Sequence, residues 1–136
     1  MAQTAEQLQS ALTQFHGTDT WYRHGVNRNL LYTDGVQYLA EEADAYWLID
    51  EIALRNQFTP QLRREPFQAW SLTLNKTGNG AKLVCNDGNG RIVQRARIPF
   101  TDFPLQSITL WCEQSGIEQD DGSIKLQWVL MLPGER

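Results

Sequence analysis

The sequence predicts an α+β fold, with two helices in the N-terminal half packed on a mainly antiparallel sheet of about five to seven short strands. Three observations carry this. Apolar residues recur at helical spacing before residue 57, period-two alternation takes over after Pro66, and Gly, Asn and Asp clusters punctuate the second half. At 136 residues, 41% hydrophobic and 21% charged, the chain reads as one domain over residues 1–136. A core of that size needs neither disulfides nor a metal to fold.

Thr4 and Gln7 have capping-box spacing, and Leu8, Ala11, Leu12 and Phe15 then repeat helically, so a helix is expected from Ala5 to His16 with Gly17 as its stop. The following stretch, GTDTWYRHGVNRN, has no period and reads as a loop. Leu30–Thr33, Asp34-Gly35 and Val36–Ala40 have the apolar-turn-apolar form of a two-residue hairpin, because Asp-Gly tolerates the positive φ of a type I′ turn. A rival reading makes Asp34 the N-cap of one long helix through Asn56; the hairpin is preferred because Asp44 offers a second cap just where helical spacing becomes clean. Trp47, Leu48, Glu51, Ile52 and Arg55 then mark a helix from Ala45 to Asn56.

Pro60 and Pro66 bracket a polar connector, Gln57–Glu65. Trp70, Leu72 and Leu74 alternate with Ser71, Thr73 and Asn75 as a strand, ended by Gly78-Asn79-Gly80. Ala81–Asn86 and Arg91–Ile98 form a hairpin around Asp87-Gly88-Asn89-Gly90. A proline-marked corner, Pro99–Pro104, leads to strands at Ser107–Glu113 and Ile124–Leu132. The expected core comprises Trp47, Trp70, Leu72, Leu83, Leu110 and Trp128, each on the apolar phase of its element.

Sixteen acidic and twelve basic residues give a net charge of −4, the wrong sign for a protein coated in nucleic acid. No apolar run is long enough to cross a membrane, and the start MAQTAEQLQS lacks the basic and apolar regions of a signal peptide, so no membrane association or secretion is expected. Cys85 and Cys112 stand in no metal or redox motif and read as reduced, buried thiols.

Candidate chemistry is sparse. Asp50-Glu51, with Glu41 and Glu42 upstream, are helix neighbours about 100° apart and form no dyad; a solvated face is the simpler reading. His16 and His24 have no carboxylate or cysteine at ligand spacing, so no metal is expected, and no glycine pattern opens a helix as a phosphate cradle, so no cofactor is expected. The serines lack the frame of a nucleophile. One mixed cluster, Tyr22, Arg23, His24 and Arg28, with Asp34 near in sequence, has the residue types to orient an anion or move a proton.

Charge along the chain is uneven. Residues 1–56 carry −5, residues 57–100 carry +5 and residues 101–136 carry −4. In the central hairpin, alternation puts Leu83, Cys85, Ile92, Ala96 and Ile98 on one face and Lys82, Val84, Asn86, Arg91, Val93, Arg95 and Arg97 on the other. The register expected from the DGNG turn sets Lys82 opposite Arg95, a like-charge pair that a negative partner would relieve.

The strings FHGTDTWYRH (15–24), LLYTDGVQYLAEEADAYWLIDEIA (30–53) and FTDFPLQSITLW (100–111) resemble a family of small bacterial proteins classed as a domain of unknown function, with members in bacterial genomes and on plasmids and other mobile elements. The resemblance covers about Phe15 to Trp111. It implies a cytoplasmic protein and carries no assigned activity.

The expected function is therefore a non-enzymatic interaction or regulatory module of a mobile element, binding an acidic macromolecular surface through Lys82, Arg91, Arg95 and Arg97. An acidic protein is favoured over nucleic acid as the partner, and a homodimer through an exposed edge strand is compatible with this. The alternative is a small enzyme or anion-binding domain built on Tyr22, Arg23, His24 and Arg28.

Overall fold

The computed structural model describes residues 3–136. Helix α1 (Ala5–Leu12) has the expected capping box between Thr4 and Gln7. It stops at Leu12 rather than His16, because the Thr13 hydroxyl donates to the Ser10 carbonyl at 2.6 Å and the chain tightens there. Two short strands follow, β1 (Trp21–Arg23) and β2 (Leu30–Thr33), paired antiparallel; β1 falls in the stretch expected to be loop.

The expected hairpin at Asp34-Gly35 is a helix instead, α2 (Asp34–Glu42). Thr33 caps it, accepting from the Val36 N–H, and neither Asp34 nor Gly35 adopts positive φ. The glycine serves close approach. An added Cβ at residue 35 would lie 2.6 Å from Glu135 Oε1, and Glu135 Oε2 accepts from the Gly35 N–H at 3.0 Å. Asp44 is likewise no N-cap. Its φ of 51° ends α2 in left-handed backbone, and the Ala45 N–H closes back on the Ala40 carbonyl at 2.8 Å. Helix α3 then runs Tyr46–Phe58, and the expected connector contains one more turn, α4 (Pro60–Arg63), begun by its proline.

Strands β3 (Phe67–Leu74), β4 (Ala81–Asn86), β5 (Ile92–Ile98), β6 (Ser107–Glu118) and β7 (Ile124–Met131) complete a seven-stranded sheet of order β1-β2-β7-β6-β3-β4-β5. All neighbours are antiparallel except β2 and β7, which run parallel with Leu30 opposite Trp128. The architecture is α+β, as expected.

Residues from all four helices share one apolar cluster with Trp70, Leu72, Leu83, Leu110 and Leu130 of the sheet. That face of the sheet is the core. Of the six residues expected there, Trp70, Leu72, Leu83, Leu110 and Trp128 are buried, whereas Trp47 is only partly so, packed against the cluster from the outer side of α3. Inside the helix-sheet junction, Gln68 ties the layers: its amide donates to Asn56 Oδ1 and the Leu62 carbonyl, each at 2.8 Å, and its oxygen accepts from Trp70 Nε1 at 2.9 Å. The opposite sheet face carries Ser71, Thr73, Lys82, Val84, Arg95, Arg97 and Thr109, placed together by the registers of β3, β4, β5 and β6.

Candidate functional site

The β4–β5 hairpin departs from its expected register. Asp87 N–H bonds to the Arg91 carbonyl, so three residues turn the chain, with Gly88 and Gly90 both near φ +90°, and a bulge at Cys85/Asn86 adds one more step. Lys82 therefore sits opposite Arg97 rather than Arg95, and Val84 opposite Arg95. The total slip is two residues, which preserves the face of every side chain beyond the bulge. Lys82, Arg95 and Arg97 remain together on the outer face; Ile92, expected in the core, lies at the bulge and is exposed.

Arg91 leaves the group. It stands outside β5, where its guanidinium meets Glu65 and, at 3.3 Å, Asp87. Asp87 is held below the usual carboxylate range by the backbone N–H of Asn89 and by hydrogen bonds from Arg91. Its place among the outer cations is taken by Lys76, on the turn after β3, which sequence reasoning missed. The signal was available: a register setting Thr73 opposite Lys82 brings that turn beside the cationic rows.

Together Lys76, Lys82, Arg95 and Arg97 line an open groove of about 900 Å³, with Thr73, Asn75 and Thr77 at one end and Val84 supplying apolar wall. Among the described residues none of the four cations is in ion-pair contact with a carboxylate. Lys82 and Arg97 directly oppose each other across the strands, which is unfavourable until an anion bridges them. The groove can hold carboxylates or phosphates by charge-assisted hydrogen bonds, with an apolar wall for an attached side chain.

The Tyr22–Arg28 cluster is arranged differently. His24 Nδ1 accepts from the backbone N–H groups of Val26 (3.1 Å) and Asn27 (2.9 Å), which leaves the proton on Nε2, donated to Asp50 at 2.8 Å. Both ring nitrogens are engaged. Arg23 donates to the Arg28 carbonyl at 2.6 Å and Arg28 to the His24 carbonyl at 3.2 Å, while the Tyr22 hydroxyl donates to Asp34 at 3.2 Å. Removal from water and the Asp34 carboxylate push the Tyr22 phenol above its ordinary range. This is a laced loop that fastens β1 and β2 to α3.

Cys85 and Cys112 are free and buried. Burial pushes the Cys85 thiol up to about 12, with Glu65 and Asp87 adding to the effect, and burial raises Cys112 as well. Neither thiol is a nucleophile near neutral pH. Among the described residues no three His, Cys, Asp or Glu side chains gather as a metal-ligand set, and no helix is long and apolar enough to cross a membrane.

No curated protein and no solved structure matches the chain. The model of DUF6876, described as a family of unknown function, matches residues 6–136. The match spans nearly the whole chain, and the chain belongs to that family.

Proposed function

We propose that this protein is a non-enzymatic binding module, a cytoplasmic regulatory or accessory protein of a bacterial mobile element, that takes an acidic protein surface on the groove of its outer sheet face. One observation carries the reading: four cations without carboxylate partners line one open groove on a chain of net charge −4. Such a patch contributes little to folding and much to the rate and orientation of association. An acidic protein fits better than a nucleic acid. Single strands bind through aromatic platforms beside the cations, and no aromatic residue is among the described residues that line the groove. The alternative site at Tyr22, Arg23, His24 and Arg28 is less suited to a ligand, because its polar atoms already serve backbone and Asp50.

The test is a fluorescence-anisotropy titration of a labelled Glu/Asp repeat peptide and a labelled single-stranded oligonucleotide against the parent and Arg95→Glu/Arg97→Glu. The expected result is salt-sensitive peptide binding that the double reversal abolishes at an unchanged melting temperature. Equal peptide binding by both proteins overturns the reading, and tighter binding of the oligonucleotide with a steep salt dependence reassigns the groove to nucleic acid.

A further inference from the structure

Beyond the sheet, β6 and β7 continue as a free arm. β3 pairs with β6 only as far as Glu113 and β2 reaches β7 only from Trp128, so Ser115–Glu118 and Ile124–Gln127 pair with each other alone. A two-stranded ribbon is marginal in water by itself. This one exposes Ile117, Ile124 and Leu126 at 40%, 59% and 54%, and its tip holds Glu118, Asp120 and Asp121. Among the described residues none of those three carboxylates has a cationic partner within ion-pair distance. Apolar side chains on a projecting ribbon mark a surface that is covered in use.

We infer that the arm docks, tip first, into the cationic groove of a second copy of this chain; the inference rests on the groove being the binding surface and names its partner. Charge selects the groove. Three carboxylates at the tip meet four unpaired cations, and Ile124 and Leu126, which share the Glu118 face of the ribbon, meet Val84 in the groove wall. The apolar hollow on α3 around Leu54 and Phe58 is a poorer match, because its one cation, Arg55, is already paired with Glu51 and Asp50 stands beside it.

Distance then excludes the arm's own groove. Ser107 at the start of β6 lies opposite Thr73 at the groove, and Glu118 lies at the far end of the same strand, roughly 35 Å away at about 3.3 Å per residue. The contact is therefore between molecules. Exchanged reciprocally, two such contacts close a two-fold dimer. Ser123 donates through both its hydroxyl and its N–H to Asp121 and holds that carboxyl below its ordinary value.

Molar mass by light scattering at low and at high salt tests this on the intact protein. The parent is expected to be a dimer at low salt and to dissociate as salt rises. Glu118→Lys/Asp120→Lys and Arg95→Glu/Arg97→Glu are each expected to be monomers, with association weakened on the order of a hundredfold by like charges brought face to face. Mixed, the two variants are expected to pair, because each then offers the other a complementary arm and groove. A monomeric parent at low salt, or variants that dimerise alone as the parent does, overturns the inference. The labelled acidic peptide separates the two proposals: a monomeric parent that still binds it through Arg95 and Arg97 retains the binding function and loses the second copy as its partner. Peptide binding indifferent to those arginines removes the function itself.

Discussion

Replacing Gly35 by alanine sets two effects of opposite sign against each other. Inside a helix, glycine to alanine ordinarily stabilises by about 0.5–1 kcal/mol. At Gly35 the new methyl would lie 2.6 Å from both Glu135 Oε1 and Leu132 Cδ1, in a buried place where neither can easily retreat. Overpacking of this kind costs about 1–3 kcal/mol. Moving Glu135 also disturbs a carboxylate that accepts from the Thr33 hydroxyl at 2.6 Å, the Leu132 N–H at 2.9 Å and the Gly35 N–H at 3.0 Å. Each such bond to a charged group is worth about 1.5–3 kcal/mol. Setting the overlap and one strained bond against the helical gain leaves a net loss of about 1.5–5.5 kcal/mol for Gly35→Ala. Glu135→Ala, which strands three buried donors, should lose about 3–4 kcal/mol. Because the two residues touch, the double variant should lose less than the sum, with a coupling of about 1 kcal/mol or more. Urea unfolding followed by tryptophan fluorescence measures all three. A Gly35→Ala protein as stable as the parent would refute the close approach of the C-terminal turn to α2.

Trp70→Ala should cost about 3–5 kcal/mol and Trp47→Ala only about 1–2 kcal/mol, since the first ring is enclosed by the core and the second only rests on it; equal losses in chemical denaturation would contradict that placement. Cys85 and Cys112 should resist a maleimide until denaturant is added, and rapid labelling of the folded protein would show that they are not enclosed. The Cys85 thiol is raised from 9.0 to about 12 in the folded state, so the unfolded chain releases its proton first as pH climbs. Stability should therefore be intact below about pH 9 and decline between 9 and 12, a decline that Cys85→Ala reduces in thermal melts.

The strand half of the fold was legible because alternation and turn residues agree there: Trp70, Leu72 and Leu83 could hardly face water. Asp34-Gly35 misled because the dipeptide has two uses. Its glycine answers a residue about a hundred positions later, Glu135, and no local pattern records that. Asp44 likewise has the composition of a helix start and the backbone of a helix end. Strands as short as β1 and β2 carry too few residues to show a period, and the parallel pairing of β2 with β7 depends on contacts remote in sequence. At the candidate groove, side-chain alternation found Lys82, Arg95 and Arg97 despite a wrong register, because a slip of two leaves faces unchanged. Arg91 was misplaced because the bulge and the short turn act just there, and the Trp47 stripe misled because α3 is apolar on both sides.

The place of β7 in the sheet governs how the chain reaches its native state. β7 is the element that joins the β1–β2 ribbon to β6, so the N-terminal ribbon has no sheet to enter until β7 has been made. Before then, β2 and β6 both present unsatisfied edges, separated by the gap that one strand will fill. Closing that gap brings together segments as far apart as Thr33 and Glu135, 102 residues along the chain, at an entropic cost met only when the last strand arrives. The β1–β2 ribbon therefore waits on β7, contacts remote in sequence slow the assembly, and until that strand is paired two open edges are exposed to aggregation.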